Sequence, residues 1–420
     1  MVTIDSEPDI LPPTAFSGWI QVKEVQHEVT FSVSAGPDGH LKIDLDPLST
    51  DTLFALSKAI GKSGSRTEDL TLHGEGDNGS EFHSDYVLFT GTVSGSVEIP
   101  VSLSHRQSTV TLKLEGNSGK PLARLWLRGF KSFRNSVVNT QLGMLQVQGD
   151  HKNVERDSMS GSIAVQAHTH DTACDWFSQA DDLLTFMMRG LGFAHGGRLQ
   201  TPRLDQVSGG VWKATFYSGS GFRSGLPAIH KLMQADYIKA LARRYESDVP
   251  FPDILWTAIG WLHSGTSIHE VDFLTSMTAL EAIVEHMLPK DLTTIISKQE
   301  FNPLKEKLIR TVSLEELPAE PSEIFIGKIR GLNGRSLSQK LAALKEHYSL
   351  PDAPYDQAAI VRLIKIRNEI VHKGVIPEGT DLWPEILLVR EMIGHIFFHE
   401  IGYQGPFESY VGGHRTVDRA

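Results

Sequence analysis

The stretch DQAAIVRLIKIRNEIVHKG, residues 356–374, decides how the second half of this chain is read. At about 100° per residue, Ile360, Leu363, Ile364, Ile366, Ile370 and Val371 fall on one broad stripe. The spacing therefore predicts a helix over 356–373 that packs through that face. Arg367 lies near the centre of the stripe. A permanently charged guanidinium there is costly unless it is paired or lines a polar cleft. Gly374 suits the position just past a helix C-terminus. His372 then occupies the last turn, where the helix dipole favours the protonated imidazole.

The segment 268–288 carries the mirror feature. Phe273, Leu274, Met277, Leu280, Val284, Met287 and Leu288 form an apolar stripe, and Glu281 lies inside it. Two apolar faces, each interrupted by one charge of opposite sign, predict an Arg367–Glu281 pair. Such a pair adds little net stability, though removing one partner is expensive. Taken alone, it fits a structural ion pair as well as a functional site.

Around these two segments the spacing predicts further helices near 228–245, 252–264, 302–310, 335–348 and 382–402. Pro289, Pro303, Pro318 and Pro321 imply a longer irregular connection in the middle. The pattern is that of an antiparallel helical bundle over 228–420.

The first half differs. Residues 1–13 read as a flexible, proline-bearing tail. Residues 14–227 read as one β-rich module, in which short alternating runs dominate from Gly18 to about Ala167, such as Val29–Val33, Leu41–Leu45 and Val110–Glu115, with turn signals at Gly36–Gly39 and Gly116–Gly119. That rhythm predicts an antiparallel β-sandwich-like module with one inserted helix at 52–60. A helix at 172–190 and two strands about Gly209–Gly210 close it. The expected fold class is α+β, with strands first and helices after.

Composition narrows the setting. The chain has 420 residues, 40% hydrophobic and 22% charged, as expected of a globular protein of two or three domains. No apolar run is long enough to span a bilayer, so no membrane partner is expected. The first thirty residues lack a basic stretch followed by an apolar one, so no signal peptide is expected. One cysteine, Cys174, cannot form an internal disulfide, and a cytoplasmic location fits. The net charge of −11 opposes a broad phosphate footprint, so any RNA contact should be confined to one cleft.

The run Arg367-Asn368-Glu369-Ile370-Val371-His372 resembles the defining motif of the HEPN superfamily, an arginine followed four to six residues later by histidine and often written R-N-x-x-x-H. Phe273–Ile283, with its glutamate, and the ending Ile401-Gly-Tyr-Gln-Gly405 are similar to the ApeA-like branch. The likeness covers roughly residues 228–420. It implies a helical bundle that dimerises to bring two motifs into one cleft. It also implies a metal-independent endoribonuclease of abortive phage defence or growth arrest that leaves cyclic phosphate ends. By motif, His372 is the acid/base residue and Arg367 the phosphate and transition-state stabiliser. Asn368 orients or hydrogen-bonds them, and Glu281 holds Arg367 or contributes to the site. No cofactor or metal is implied. The longer variant of the motif, His-x-Tyr, is absent, because Lys373 and Gly374 follow His372.

Arg362, Lys365 and Lys373 surround the motif and are expected to contact RNA, with transfer RNA the substrate class that the family suggests. The β module would bind a phage or host trigger. The rival reading is a non-catalytic RNA-binding or dimerising scaffold with a ligand-binding β module.

Other constellations carry less. His168, His170, Asp171 and Cys174 have metal-ligand types but no closed zinc spacing. Residues 61–65 and 218–225 lack the frame of a phosphate-binding loop. His395 and His399 read as interior or interface histidines. Trp19, Trp126, Trp176 and Trp256 read as core.

Overall fold

The computed structural model describes residues 11–59, 70–77, 79–89, 101–114, 119–132, 134–150, 158–219, 225–264 and 268–419. The chain forms two compact units that divide between Asp248 and Val249. Residues 1–10 and 61–65, and most of 218–225, lie outside the described residues. Among the described residues no helix is long and apolar enough to cross a membrane.

The first unit is built on β1 (Leu11–Val22), β2 (Val25–Ala35), β3 (Leu41–Leu45), β4 (Leu70–Glu75), β5 (Glu81–Leu88), β6 (Val101–His105) and β7 (Gln107–Lys113). It continues through β8 (Leu122–Arg128), β9 (Ser136–Asn139), β10 (Met144–Gly149), β11 (Met159–Gln166), β12 (Gln200–Ser208) and β13 (Val211–Tyr217). All thirteen join one antiparallel sheet in the order β4-β1-β2-β3-β6-β5-β7-β13-β12-β8-β11-β10-β9. A further β4–β5 pairing closes the first six strands into a barrel. The sandwich expected from the alternation is therefore corrected to a barrel with a sheet extension. Period-two alternation shows that one face is buried, but not whether that face meets a second sheet or curls onto itself.

Local chemistry supports the closure. Gly18 on β1 faces Gly74 on β4. A Cβ on Gly18 would lie 1.9 Å from the His73 carbonyl oxygen, so only glycine allows that approach. Inside, Phe16, Phe31 and Phe82 form an aromatic cluster with centroids 5.3–5.9 Å apart. The inserted helix, α1 (Thr50–Ala59), adds Leu56 and Ala59 to the same core.

Residues 11–13 of the expected tail belong instead to β1, where buried Leu11 pairs with Ala35. The two prolines after it offer no N–H to the ladder, and the register shifts between Leu11 and Thr14.

Two helices complete this unit, α2 (Trp176–Ala194) and α3 (Gln234–Tyr245). Tyr237 donates its hydroxyl to the Gly190 carbonyl at 2.6 Å, and a Cβ on Gly190 would strike Leu241. The close fit of α3 on α2 assigns α3 to the first unit. The strands of this unit end at Tyr217, ahead of the expected boundary at 227/228, while the compact unit runs on to Asp248.

The second unit contains α4 (Asp253–Leu262), α5 (His269–Met287), α6 (Lys298–Leu314), α7 (Ala319–Gly331), α8 (Leu337–His347), α9 (Gln357–Lys373) and α10 (Leu382–Glu400). Helix α5 is central and touches α4, α8, α9 and α10. Much of the expected irregular middle is helical. Pro303 lies inside α6, while Pro318 caps α7 and Pro321 falls in its first turn, where a missing N–H costs nothing.

A short hairpin, β14 (Phe407–Ser409) with β15 (Arg415–Val417), was not anticipated from the alternation. It is fastened to the bundle by Glu391, which accepts hydrogen bonds from Tyr355, Ser409 and the Tyr410 amide.

Candidate active site

Helix α9 is defined at both ends. Asp356 accepts a 2.7 Å bond from the Ala359 amide at its start. Gly374, at φ +70°, ends it in the left-handed conformation and returns its N–H to the Ile370 carbonyl. Ile360, Leu363, Ile366 and Ile370 are buried, as the stripe requires. Val371 departs from it and is 49% exposed, because it sits at the edge of the stripe in the last turn.

The oppositely charged residues of the two stripes meet. Arg367 donates Nε to Glu281 Oε1 at 2.9 Å and Nη2 to Oε2 at 3.2 Å, a two-point fork across α9 and α5. Both side chains are about one-quarter exposed, so the pair faces an opening to water. Arg367 Nη1 donates to Asn368 Oδ1 at 3.2 Å. A guanidinium has five N–H groups. Among the described residues three are engaged, which leaves one on each terminal nitrogen.

His372 lies in the last turn of α9 and is exposed. No hydrogen bond, ion pair or ring contact to it occurs among the described residues. The fold thus joins Arg367, Asn368 and Glu281, while His372 stands about 140° further round the helix, without touching them.

The surrounding cations are more neutralised than their sequence suggests. Arg362 donates to Glu385 of α10 at 2.7 Å, and Lys373 pairs with Glu369 one turn back. Lys365 is exposed, with no ion pair among the described residues. The motif face also presents apolar side chains: Val361 is 50% exposed and Val371 is 49% exposed.

The weaker constellations resolve into structural roles. His168 Nε2 bonds the Thr140 carbonyl. Among the described residues no group of three or more His, Cys, Asp or Glu is arranged to hold a metal. His395 is buried edge-on against Tyr355 and Phe407, and burial, helped by the Arg419 charge, lowers its pKa to about 4. His399 points elsewhere, onto Tyr348. Trp126 and Trp176 are core residues, but Trp19 stacks on His73 and is only half-buried.

Two polar clusters escaped the sequence reading. In the first unit, Asp205 accepts bonds from Trp126 (2.6 Å) and Arg203 (2.9 Å), and Arg203 lies over the rings of Trp126, Trp212 and Phe216. In the second, a groove of about 470 Å³ is lined by Asp253, His286, His347, Tyr348 and Glu400. There Tyr348 donates to Glu400 at 3.0 Å, and burial beside that carboxylate raises its pKa. Trp126 meets the Arg203–Asp205 pair from another strand, and the groove residues come from separate helices, so no local spacing announces either cluster.

Comparison with protein-family models, with curated proteins and with solved structures gives no match.

Proposed function

We propose that the second unit is a HEPN-type, metal-independent endoribonuclease domain. The observation that carries this reading is the half-buried Arg367 clamped by Glu281, with two N–H groups to spare, Asn368 beside it and an exposed His372 five positions on. Unsatisfied N–H groups are costly to bury, and those of Arg367 lie where water reaches the pair, so an anion can take the place of that water.

The chemistry follows from those groups. The ribose 2′-oxygen attacks the adjacent phosphorus as His372 takes its proton. The bond from phosphorus to the 5′-oxygen breaks, and that oxygen takes up a proton. Charge growing on the phosphoryl oxygens is met by Arg367. The products are a 2′,3′-cyclic phosphate and a free 5′-hydroxyl. Glu281 is the positioning residue for Arg367.

One imidazole cannot at once take and give a proton, so a second copy completes the site. The exposed valines on the motif face of α9 give such a homodimer an apolar seam. Lys365 is the surrounding cation left for RNA, and transfer RNA is the expected substrate class. The first unit would sense a phage or host trigger, which makes the protein an abortive-infection toxin of the cytoplasm.

The test is cleavage of total RNA by the full chain and by His372→Ala, with chelator present throughout. The variant is expected to lose about 10²–10⁴-fold in rate. Full cleavage by the variant removes the catalytic assignment.

One observation favours a second reading, a non-catalytic RNA-binding or dimerising scaffold. Arg362 and Lys373 are already paired, and His372 touches no other motif residue. RNA retention by the wild type without cleavage would select it.

A further inference from the structure

Three helices of the second unit end on one groove of about 470 Å³. His286 and Met287 reach it from the last turn of α5, His347 and Tyr348 from the end of α8, and Glu400 from the end of α10. The last turn of a helix has carbonyls that no amide of its own helix reaches, and the macrodipole puts partial negative charge there. Three such ends at one opening make it electronegative before any side chain is counted. The start of α4 also lines the groove, and the Asp253 carboxylate in its first turn offsets the positive end of that helix.

The side chains add charge of the same sign. Glu400 and Asp253 supply two carboxylates, and among the described residues no lysine or arginine lines the groove. Glu400 is held in place: its Oε1 accepts the Tyr348 hydroxyl at 3.0 Å, and its side chain is only 21% exposed. Burial, reinforced by that carboxylate, raises the pKa of Tyr348, so the hydroxyl stays a donor. His286 spends its Nδ1–H on the Ala282 carbonyl at 2.8 Å, so Nε2 of the neutral ring is an acceptor. The groove therefore offers mainly acceptors. Pro252, Ile254 and Met287 give the rest of it an apolar lining. The matching ligand carries positive charge, several N–H donors and an apolar chain between them. A metal ion does not match, since among the described residues no three His, Cys, Asp or Glu are arranged to hold one.

We propose that this groove binds a linear aliphatic polyamine, with ammonium groups on Glu400 and Asp253 and methylenes along Ile254 and Met287. Its volume lies within the roughly 300–1,000 Å³ of small-molecule sites. A guanidinium side chain brings one planar charge, whereas two separate carboxylates call for two separate charges, which a polyamine carries on one chain. None of these residues belongs to the Arg367 cluster, so the site does not rest on the ribonuclease reading.

The experiment is calorimetric titration of the full chain with spermidine at fixed ionic strength, with magnesium chloride in excess to displace loosely held counter-ions. One saturable site per chain is expected. Glu400→Gln is expected to weaken binding by about tenfold or more, and Asp253→Asn by less, because Asp253 is exposed. Glu316→Gln removes an exposed carboxylate outside the groove and leaves the affinity unchanged. Met287→Lys places a tethered ammonium in the groove. It is expected to abolish binding with a thermal midpoint no lower than that of the wild type, which separates a blocked groove from a misfolded one. The proposal is overturned if the wild type gives no saturable heat, or if Met287→Lys still binds. It is equally overturned if Glu316→Gln weakens binding as much as Glu400→Gln, which would reduce the effect to net charge. Unchanged affinity in Asp253→Asn, at a site whose exposure spares the fold, also overturns it. So does N-acetylarginine amide binding as tightly as spermidine, which would assign the groove to a basic peptide.

Discussion

Helices α9 and α7 both depart from the simple rule of one apolar face and one polar face, and they depart in opposite directions. In α9 a charge sits within the apolar stripe; in α7 apolar side chains sit outside it. The first departure is answered within the unit, by the Glu281 carboxylate on α5. The second has no answer among the described residues, where Ile324, Phe325 and Leu332 meet solvent. A misplaced charge needs a partner at once, because desolvating it costs more than a fold can absorb. A misplaced apolar side chain costs far less and can remain in water.

The comparison can be broken most directly at Arg367. Arg367→Ala is expected to lower RNA cleavage by about 10²–10³-fold, while Ile324→Glu leaves the rate per chain little changed. A similar loss in both would erase the distinction between an anomaly answered within the unit and one left in water.

Acid sensitivity tests how deeply each unit buries its own titrating groups. Burial lowers His105 and His195 in the first unit, and His263 and His395 in the second, to about 4. His40, Arg390 and Arg419 add to the lowering at His105, His263 and His395 respectively. The unfolded chain binds these protons near pH 6.5, so the stabilisation is complete above that pH and is lost as pH falls from 6.5 towards 4. Each histidine contributes up to about 3 kcal/mol over that window. Urea unfolding at neutral pH and near pH 4.5 should show the drop, and His395→Leu should lessen it. Equal midpoints at both values would remove the argument.

A smaller effect is expected at Glu281. Glu281→Ala should cost about 1–2 kcal/mol in urea unfolding, below the range for a fully buried pair because water reaches both partners. No loss would mean that Arg367 is held by something other than the fork.

The two glycines give the smallest and sharpest contrast. Gly374→Ala, at φ +70°, should cost about 1 kcal/mol through backbone strain alone. Gly327→Ala should stabilise the chain by up to about 1 kcal/mol through helix propensity. Thermal unfolding at low concentration separates the two signs.

Much of the second unit was legible in the sequence. The stripe on α9, its glycine terminus and the pairing of Arg367 with Glu281 all followed from spacing. Helix α7 was hidden by prolines that look disruptive until the helix start is known, since Pro318 and Pro321 fall where no amide is needed. The barrel was hidden for a different reason. The pairing of β4 with β5 that closes it depends on which strand edges meet, and alternation is blind to edges. The cluster of Asp205 with Trp126 and Arg203 joins neighbouring strands far apart in the chain.

The sequence alone determined the order of strands and then helices, the faces that turn inward, and the two charges that had to find each other. Those properties depend on local periodicity and on the cost of burying an unpaired ion, and both can be read one segment at a time. Tertiary structure alone decided that the strands close into a barrel, that α3 belongs with the first unit, that two of the four motif-region cations are spent on neighbouring carboxylates besides the Arg367 fork, and that α7 keeps an apolar flank in water. Each of these depends on which surfaces come together in space, and contacts between distant segments leave no periodic mark on either one.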